Sequence, residues 1–182
     1  MDFWKKGIML EDNNIKLRAI EPEDIDFIMN MENDACNWKV SRSHNPFSRF
    51  DIEQYVMSID KDIYSAKQLR LIIERKDNDR MVGIVDIFDF NAHDRRAGIG
   101  IILKESARGI GIAGATLDIL IDYVFSHLGL HQLFCNIGSD NDSSIRLFES
   151  RKFNRTGVKK DWKFINNSYE DELLYQLINQ NN

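Results

Sequence analysis

The stretch best equipped for chemistry is Arg108-Gly109-Ile110-Gly111-Ile112-Ala113-Gly114, which opens an apolar run ending near Phe125. Bare backbone N–H groups at the start of a helix form an anion site, and the helix dipole strengthens it. The glycines let a pyrophosphate come close to the main chain, and Arg108 adds charge at the mouth of the loop. The glycines also satisfy G-x-G-x-x-G, but the surroundings do not suit a dinucleotide. Lys104 to Arg108 separate the loop from the preceding strand, and Leu133 to Asn136 offer no acid for a ribose. A nucleotidase phosphate loop is excluded because Ala115 stands where a Lys is required. Two readings stay open on the loop alone: a pyrophosphate cradle, or an ordinary strand–helix turn.

Just upstream, Gly98 and Gly100 alternate with Ile99, Ile101 and Leu103. Glycine inside a strand marks a bulge or a close approach by another backbone. An extended, amide-bearing ligand could pair with such an edge. Pyrophosphate at one end and an amide-bearing arm at the other describe coenzyme A. A plain bend in the strand is the competing explanation.

The elements that must hold these residues follow from hydrophobic spacing. "IKLRAI" alternates as a strand, and Glu21-Pro22-Glu23-Asp24 opens a helix. Residues 33–48 hold turn formers with weak periodicity and read as a long loop or broken helix. "DIEQYVMSID" has helical spacing. "LRLIIERK", "MVGIVDIFDF" and "RAGIGIIL" read as an antiparallel meander, turning at Asp77-Asn78-Asp79 and at 91–94. The helix after the glycines should run to about Leu128 and be well buried. "LHQLFCNI" is a strand, "NDSSIRLFES" a helix capped near Asp140 or Asn141, and "TGVKKDWKFI" a strand. Asn166-Asn167 turns the chain into a last strand, Glu172 to Ile178. The fold class is α+β, in α/β/α layers, with a mixed sheet and helices on both faces.

At 182 residues the chain suits one domain, 1–182, with a sizeable core. A net charge of −5 argues against a nucleic-acid partner, which needs a basic footprint. Cys36 and Cys135 have no metal or disulfide spacing and read as reduced thiols of a cytoplasmic protein. The N-terminus lacks an apolar signal core, and no apolar run reaches the roughly 18 residues a membrane span needs. No His/Cys/Asp cluster has the spacing of a metal site.

The chain resembles the GNAT superfamily of N-acetyltransferases. Arg108 to Ala113 match its Q/R-x-x-G-x-G/A pyrophosphate loop, and Asn141 to Glu149 match its N-x-x-S/A-x-x-L/I-Y-E helix. "GIVDIFDFNAHDRRAGIGIIL" and "IKLRAIEPEDIDFI" are similar to the spermidine and diamine branch. "MENDACNWKV" and the N-x-x-S helix also resemble the branch acting on ribosomal-protein N-termini. The resemblance implies acetyl transfer from acetyl-CoA to a primary amine, in a polyamine-like molecule or at a protein N-terminus. It implies a mostly antiparallel sheet splayed between strands 4 and 5. Ile101, Ile102 and Leu103 should meet the pantetheine arm and thioester through backbone groups. Arg108, Gly109, Ile110, Gly111, Ile112, Ala113 and Gly114 should hold the pyrophosphate. Asn141 and Phe148 should lie near the thiol end. Sheet edges that pair in this family make a homo-oligomer plausible.

Three positions depart from the polyamine branch. Phe148 replaces the Tyr that protonates the thiolate, and Phe has no proton to give. Gly98 stands where that branch has a Glu, and Lys152 replaces a Gly. Ser144, a serine also found in the ribosomal-protein branch, is the best replacement acid, with a helix cap or solvated hydroxyl as the alternative and with a thiolate that leaves unprotonated needing no acid. Asp86 is the first candidate base, followed by Asp89 and His44. The Leu103 N–H should stabilise the oxyanion. Trp38 and Phe47 are candidate walls for the acceptor, with ordinary packing as the alternative. Cys135 reads as a small core residue, and His93, His127 and His131 as structural or exposed. The competing functional class is an acetyl-CoA-binding sensor or assembly module without turnover.

Overall fold

The computed structural model describes residues 10–41, 45–59, 62–165 and 167–180. Seven strands form one sheet: β1 (Ile15–Ala19), β2 (Leu69–Arg75), β3 (Met81–Asn91), β4 (Arg96–Leu103), β5 (Gln132–Gly138), β6 (Asn154–Ile165) and β7 (Ser168–Ile178). Their order across the sheet is β1-β2-β3-β4-β5-β7-β6. Every neighbouring pair is antiparallel except β4 and β5.

Both faces of the sheet are covered, which explains the continuous apolar runs. Leu71 and Ile73 of β2 join Val85, Ile87 and Ile99 under α5 (Ile112–Asp122), where Leu117 and Leu120 are fully buried, as is Val124 just beyond it. Ile72 and Ile84 point the other way. They pack on Phe27, Ile28 and Met31 of α1 (Ile25–Glu32) and on Ile52 of α3 (Arg49–Ser58). A strand buried on both faces loses its alternation, as "LRLII" does. The α5 helix is less enclosed than its sequence implies. Asp118 and Asp122 face solvent, and a π-helical turn, Tyr123–His127, closes its end.

Residues 33–48, read from sequence as a loop or broken helix, contain α2 (Ala35–Ser41). Polar bonds to the end of α1 hold it. Asn37 Nδ2 donates to the Met31 carbonyl at 3.0 Å, and Trp38 Nε1 to the Glu32 carbonyl at 2.8 Å. Such a helix needs no apolar stripe, so periodicity cannot reveal it. A single turn, α4 (Ile63–Ala66), precedes β2, and α6 (Asp142–Glu149) lies between β5 and β6.

The feature that makes a site is a seam. β4 and β5 pair only at Arg96–Gly98 against Gln132–Phe134, and beyond Gly98 they part. The expected splay between the fourth and fifth strands is therefore present.

Candidate active site

The free edge of β4 can be read from its ladder. Lys104 donates its N–H to the Val82 carbonyl at 2.9 Å, which makes Gly83–Leu103 a non-hydrogen-bonded pair. By alternation, Ile101 and Leu103 turn their N–H and C=O groups away from β3, into the gap. Ile102 does the opposite. Its backbone belongs to the β3–β4 ladder, and its side chain packs on the α1 side of the sheet. Of the three residues expected to meet a thioester arm through their backbones, two are free to do so.

After a 3-10 turn at Glu105–Ala107, the glycine loop leads into α5. Gly109 and Gly111 adopt φ of +76° and +90°, which side-chain-bearing residues rarely adopt. A Cβ at either would meet nothing within 4 Å, so the loop is open as well as bent. Gly111 is the N-cap of α5 and offers no side chain to the first N–H groups, which are left for a ligand. Ile110 points outward and Ile112 into the core, so these two contribute backbone only.

Arg108 and Gly114 both line a cleft beside this loop, and each is already engaged within the chain. The Arg108 guanidinium does not reach forward. Its Nε donates to the Leu103 carbonyl at 3.1 Å and its Nη2 to Asn37 Oδ1 at 3.1 Å, pinning loop and α2 to β4. Gly114 lines the cleft, and the space over it holds the Arg151 guanidinium. A Cβ there would stand 2.0 Å from Arg151 Nη2. Arg151 is steadied by Asp118, at 3.2 and 3.3 Å, and by the Ser150 hydroxyl at 2.7 Å. The cations beside the loop are thus Arg151 and Arg146, which motif matching did not single out.

This cleft, of about 510 Å³, is lined by Ile101 and Leu103 of β4, by Arg108, Gly109, Gly111 and Gly114, and by Arg146 and Arg151. A second hollow of about 290 Å³ contains Gly100, Asn136, Phe148 and Lys163. Ile101, Asn141 and Ser144 line both. Asn141 caps α6, its Oδ1 accepting from the Ser144 N–H at 3.1 Å and the Ser143 hydroxyl at 2.9 Å. The cap fixes Ser144 where cleft and hollow meet. Phe148 is buried, stacked edge-on against Phe153 at 5.0 Å, and it borders the hollow rather than the cleft.

Other candidates are drawn elsewhere. Asp86, the first candidate base, lines neither cavity. Both its oxygens accept from Arg70, at 2.7 and 3.1 Å, while Arg70 Nη1 donates to Glu32 at 2.6 Å. Burial alone would lower the Arg70 guanidinium, but Asp86 and Glu32 hold it above its ordinary value. Asp89 is exposed at the β3–β4 irregularity, and His44 lies outside the described residues. Trp38 and Phe47 line neither cavity. Trp38 is spent on Glu32, and Phe47 is tied through its backbone to the Asn33 side chain. Burial pushes the Cys135 thiol well up, which suits a core residue and not a nucleophile. His93 and His127 are exposed, and His131 is half-buried with its N–H on the Arg95 carbonyl. Among the described residues no group of three His, Cys, Asp or Glu could hold a metal ion.

One cluster was not foreseen. Glu172 on β7 is completely buried and pairs with Lys159 at 3.0 Å and Lys163 at 3.4 Å. Lys159 also donates to Asn136 Oδ1 at 2.8 Å. The only sequence signal was a basic stretch facing an acidic one across a hairpin.

Residues 14–154 match the acetyltransferase (GNAT) domain family. The chain belongs to that family. Across 160 residues it is 27% identical to the spermidine N(1)-acetyltransferase of Vibrio cholerae, covering 88% of this chain and 90% of that one. It is 27% identical over 161 residues to the Escherichia coli K12 enzyme of the same name, covering 88% and 84%. The crystal structure of the Vibrio cholerae spermidine N-acetyltransferase with CoA and spermine superposes with a TM-score of 0.83 at 24% identity, covering 92% of this chain and 96% of that one. The GNAT chain described here is an acetyl-CoA-dependent N-acetyltransferase, and its sheet is the mixed, mostly antiparallel one of the family. Among the described residues no helix is long and apolar enough to cross a membrane.

Proposed function

We propose that this GNAT chain transfers the acetyl group of acetyl-CoA to a primary amine of a small polycation of the polyamine type. The observation that carries the reading is the seam. β4 and β5 part beyond Gly98, and the free edge at Ile101 and Leu103 opens on two cavities that meet at Ser144. One cavity suits a long anionic co-substrate and the other a small acceptor, so direct attack needs no enzyme-bound intermediate.

In this reading the N–H groups from Gly109 to Ile112 and the Arg146 and Arg151 cations hold the phosphates. Ile101 pairs with the amide arm as a strand would. Acetyl-CoA supplies the acetyl group already activated as a thioester. Leu103 donates its N–H to the carbonyl oxygen as negative charge grows on it. The attacking amine, once neutral, loses its proton as the amide forms, and Ser144 relays that proton to the departing thiolate, its own hydroxyl being restored. Holding the two reactants at the seam accounts for much of the rate. Polyamine character is supported by two relatives named as spermidine enzymes along nearly the whole chain and by the net charge of −5. Residues 1–182 are read as one domain. Two free cysteines and the choice of co-substrate support a cytoplasmic setting. A homo-oligomer is supported by the exposed Trp162, Phe164 and Tyr169 on β6 and β7, and by a dodecameric structure of the Vibrio cholerae relative, TM-score 0.77 at 25% identity.

Thiol release from acetyl-CoA across spermidine, diamines, aminoglycosides and short basic peptides tests this. Spermidine or a diamine should accelerate release most. Acceleration by peptides alone would replace the acceptor class, and tight cofactor binding with no acceleration by any amine would leave a non-catalytic module. Ser144→Ala should lower kcat by about tenfold or more if the hydroxyl is the acid, and an unchanged kcat would remove it from that role.

A further inference from the structure

Lys163 occupies the hollow in which an acceptor amine would sit. The pairing of β6 with β7 slips between Lys159 and Lys163, with Asp161 at φ +50° inside the irregularity. Positions four apart in a strand already share a face; because four residues of β6 here span two of β7, Lys163 as well as Lys159 reaches buried Glu172. Lys159 is the more tightly held: it contacts Glu172 at 3.0 Å and Asn136 at 2.8 Å, and it lies over the Trp162 ring at 5.2 Å. Lys163 touches Glu172 at the longer distance of 3.4 Å. Its side chain is only 14% exposed and forms one wall of the hollow, together with Gly100, Ile101, Asn141 and Ser144.

A primary amine held against a buried carboxylate therefore lines the same hollow as Ile101 of the free β4 edge. We infer that Lys163 is an internal acceptor: with acetyl-CoA bound and no amine substrate present, the chain acetylates its own Lys163. The inference rests on the hollow being the acceptor side, as proposed above. The ammonium first gives one proton to Glu172 or to water. The neutral Nζ then forms a bond to the thioester carbonyl carbon as the carbon–sulfur bond breaks. The second amine proton ends on the departing thiolate, by way of Ser144. The products are an Nε-acetyl-lysine amide and coenzyme A, and no other reactant is required. Lysine is otherwise acetylated by free acetyl-CoA in proportion to its exposure, which gives a built-in control. Lys160 on the same strand has a side chain 77% exposed.

The test is mass spectrometry of the full chain incubated with acetyl-CoA alone, with peptide mapping over time. The expected result is a single acetyl group at Lys163, gained at a rate independent of protein dilution. Lys160 should lag by roughly tenfold, because proximity acts only on the enclosed amine. Added spermidine should suppress the label, and Lys163→Arg, which keeps a cation against Glu172, should abolish it. Equal labelling of Lys160, or a rate that rises with protein concentration, would overturn the inference. Absence of label with normal spermidine turnover would overturn it alone; absence of both would also overturn the acceptor reading beneath it.

Discussion

Gly98 and Gly111 are bare for opposite reasons. At Gly98, on β4, the backbone has no positive φ, but an added Cβ would stand 2.2 Å from the Phe88 ring. That ring packs edge-on against Phe134 at 5.7 Å, and Phe134 pairs with Gly98 at the last rung joining β4 to β5. The glycine leaves space for the protein's own aromatic pair, which fills the sheet where the strands begin to part. At Gly111 nothing lies within 4 Å of the missing Cβ, and φ is +90°. There the glycine supplies backbone shape, and the space beside it is open. Of two glycines for which the sequence left both a ligand and plain chain geometry open, one makes room for the protein's own aromatic pair and the other holds an open, left-handed turn.

Gly98→Ala should cost about 1–3 kcal/mol of stability, because a well-packed ring must move. Affinity for CoA should hardly change. In a Phe88→Ala background the same substitution should cost much less, since the two changes share one cause. A full cost in both backgrounds, read from chemical denaturation, would show that the ring is not what requires the glycine.

Gly111→Ala should behave in reverse. The left-handed backbone costs a side-chain-bearing residue about 1–2 kcal/mol. Loss of one well-aimed N–H to a phosphate, worth about 1.5 kcal/mol, should weaken CoA binding about tenfold. Calorimetry with CoA reads the second effect and thermal unfolding the first. If Gly98→Ala weakened CoA binding more than Gly111→Ala, the division of labour would be wrong.

What was legible in the sequence was whatever repeats locally. The meander, the glycine-led helix and the Asn141 cap all show in short windows, because strand and helix periods are set by near neighbours. What was not legible depends on partners brought in from elsewhere. Bonds to carbonyls of α1 hold α2, a bulge aims Lys163 at Glu172, and Arg151 fills the space over Gly114. Asp86 lies between these cases. Folding β2 onto β3 about the turn at Asp77–Asp79 sets Arg70 opposite Asp86, so its capture by that arginine could have been foreseen from the register.

Lys152 is the counterpart of Gly111: a side chain where a glycine would fit better. It takes φ +66° at the end of α6. The Phe153 N–H returns to the Phe148 carbonyl at 3.2 Å and the Lys152 N–H to Glu149 at 2.9 Å, and the Phe148–Phe153 ring contact completes this helix stop. Lys152→Gly should relieve the left-handed strain and, after the larger entropy of the unfolded glycine chain, gain about 0.5–1 kcal/mol. Thermal unfolding should register a rise of a few degrees at most. A loss of stability would mean that the lysine side chain contributes a contact outweighing its backbone.

Gly114→Ala should show the smallest change in stability, because its two consequences oppose each other. Inside α5, alanine is favoured over glycine by about 1 kcal/mol. The new Cβ would meet Arg151 Nη2, the far end of a flexible side chain, so Arg151 swings away and its exposed pairing with Asp118 is lost. Such pairs are worth about 0.2–1 kcal/mol, and the net change should stay within about 0.5 kcal/mol. Binding should separate what stability cannot. With Arg151 displaced, CoA affinity should fall and depend less steeply on salt, whereas Arg151→Ala alone should give the same fall without the helix gain. Unchanged affinity in both variants would leave Gly114 with Gly98, bare for the protein's own packing and not for the ligand.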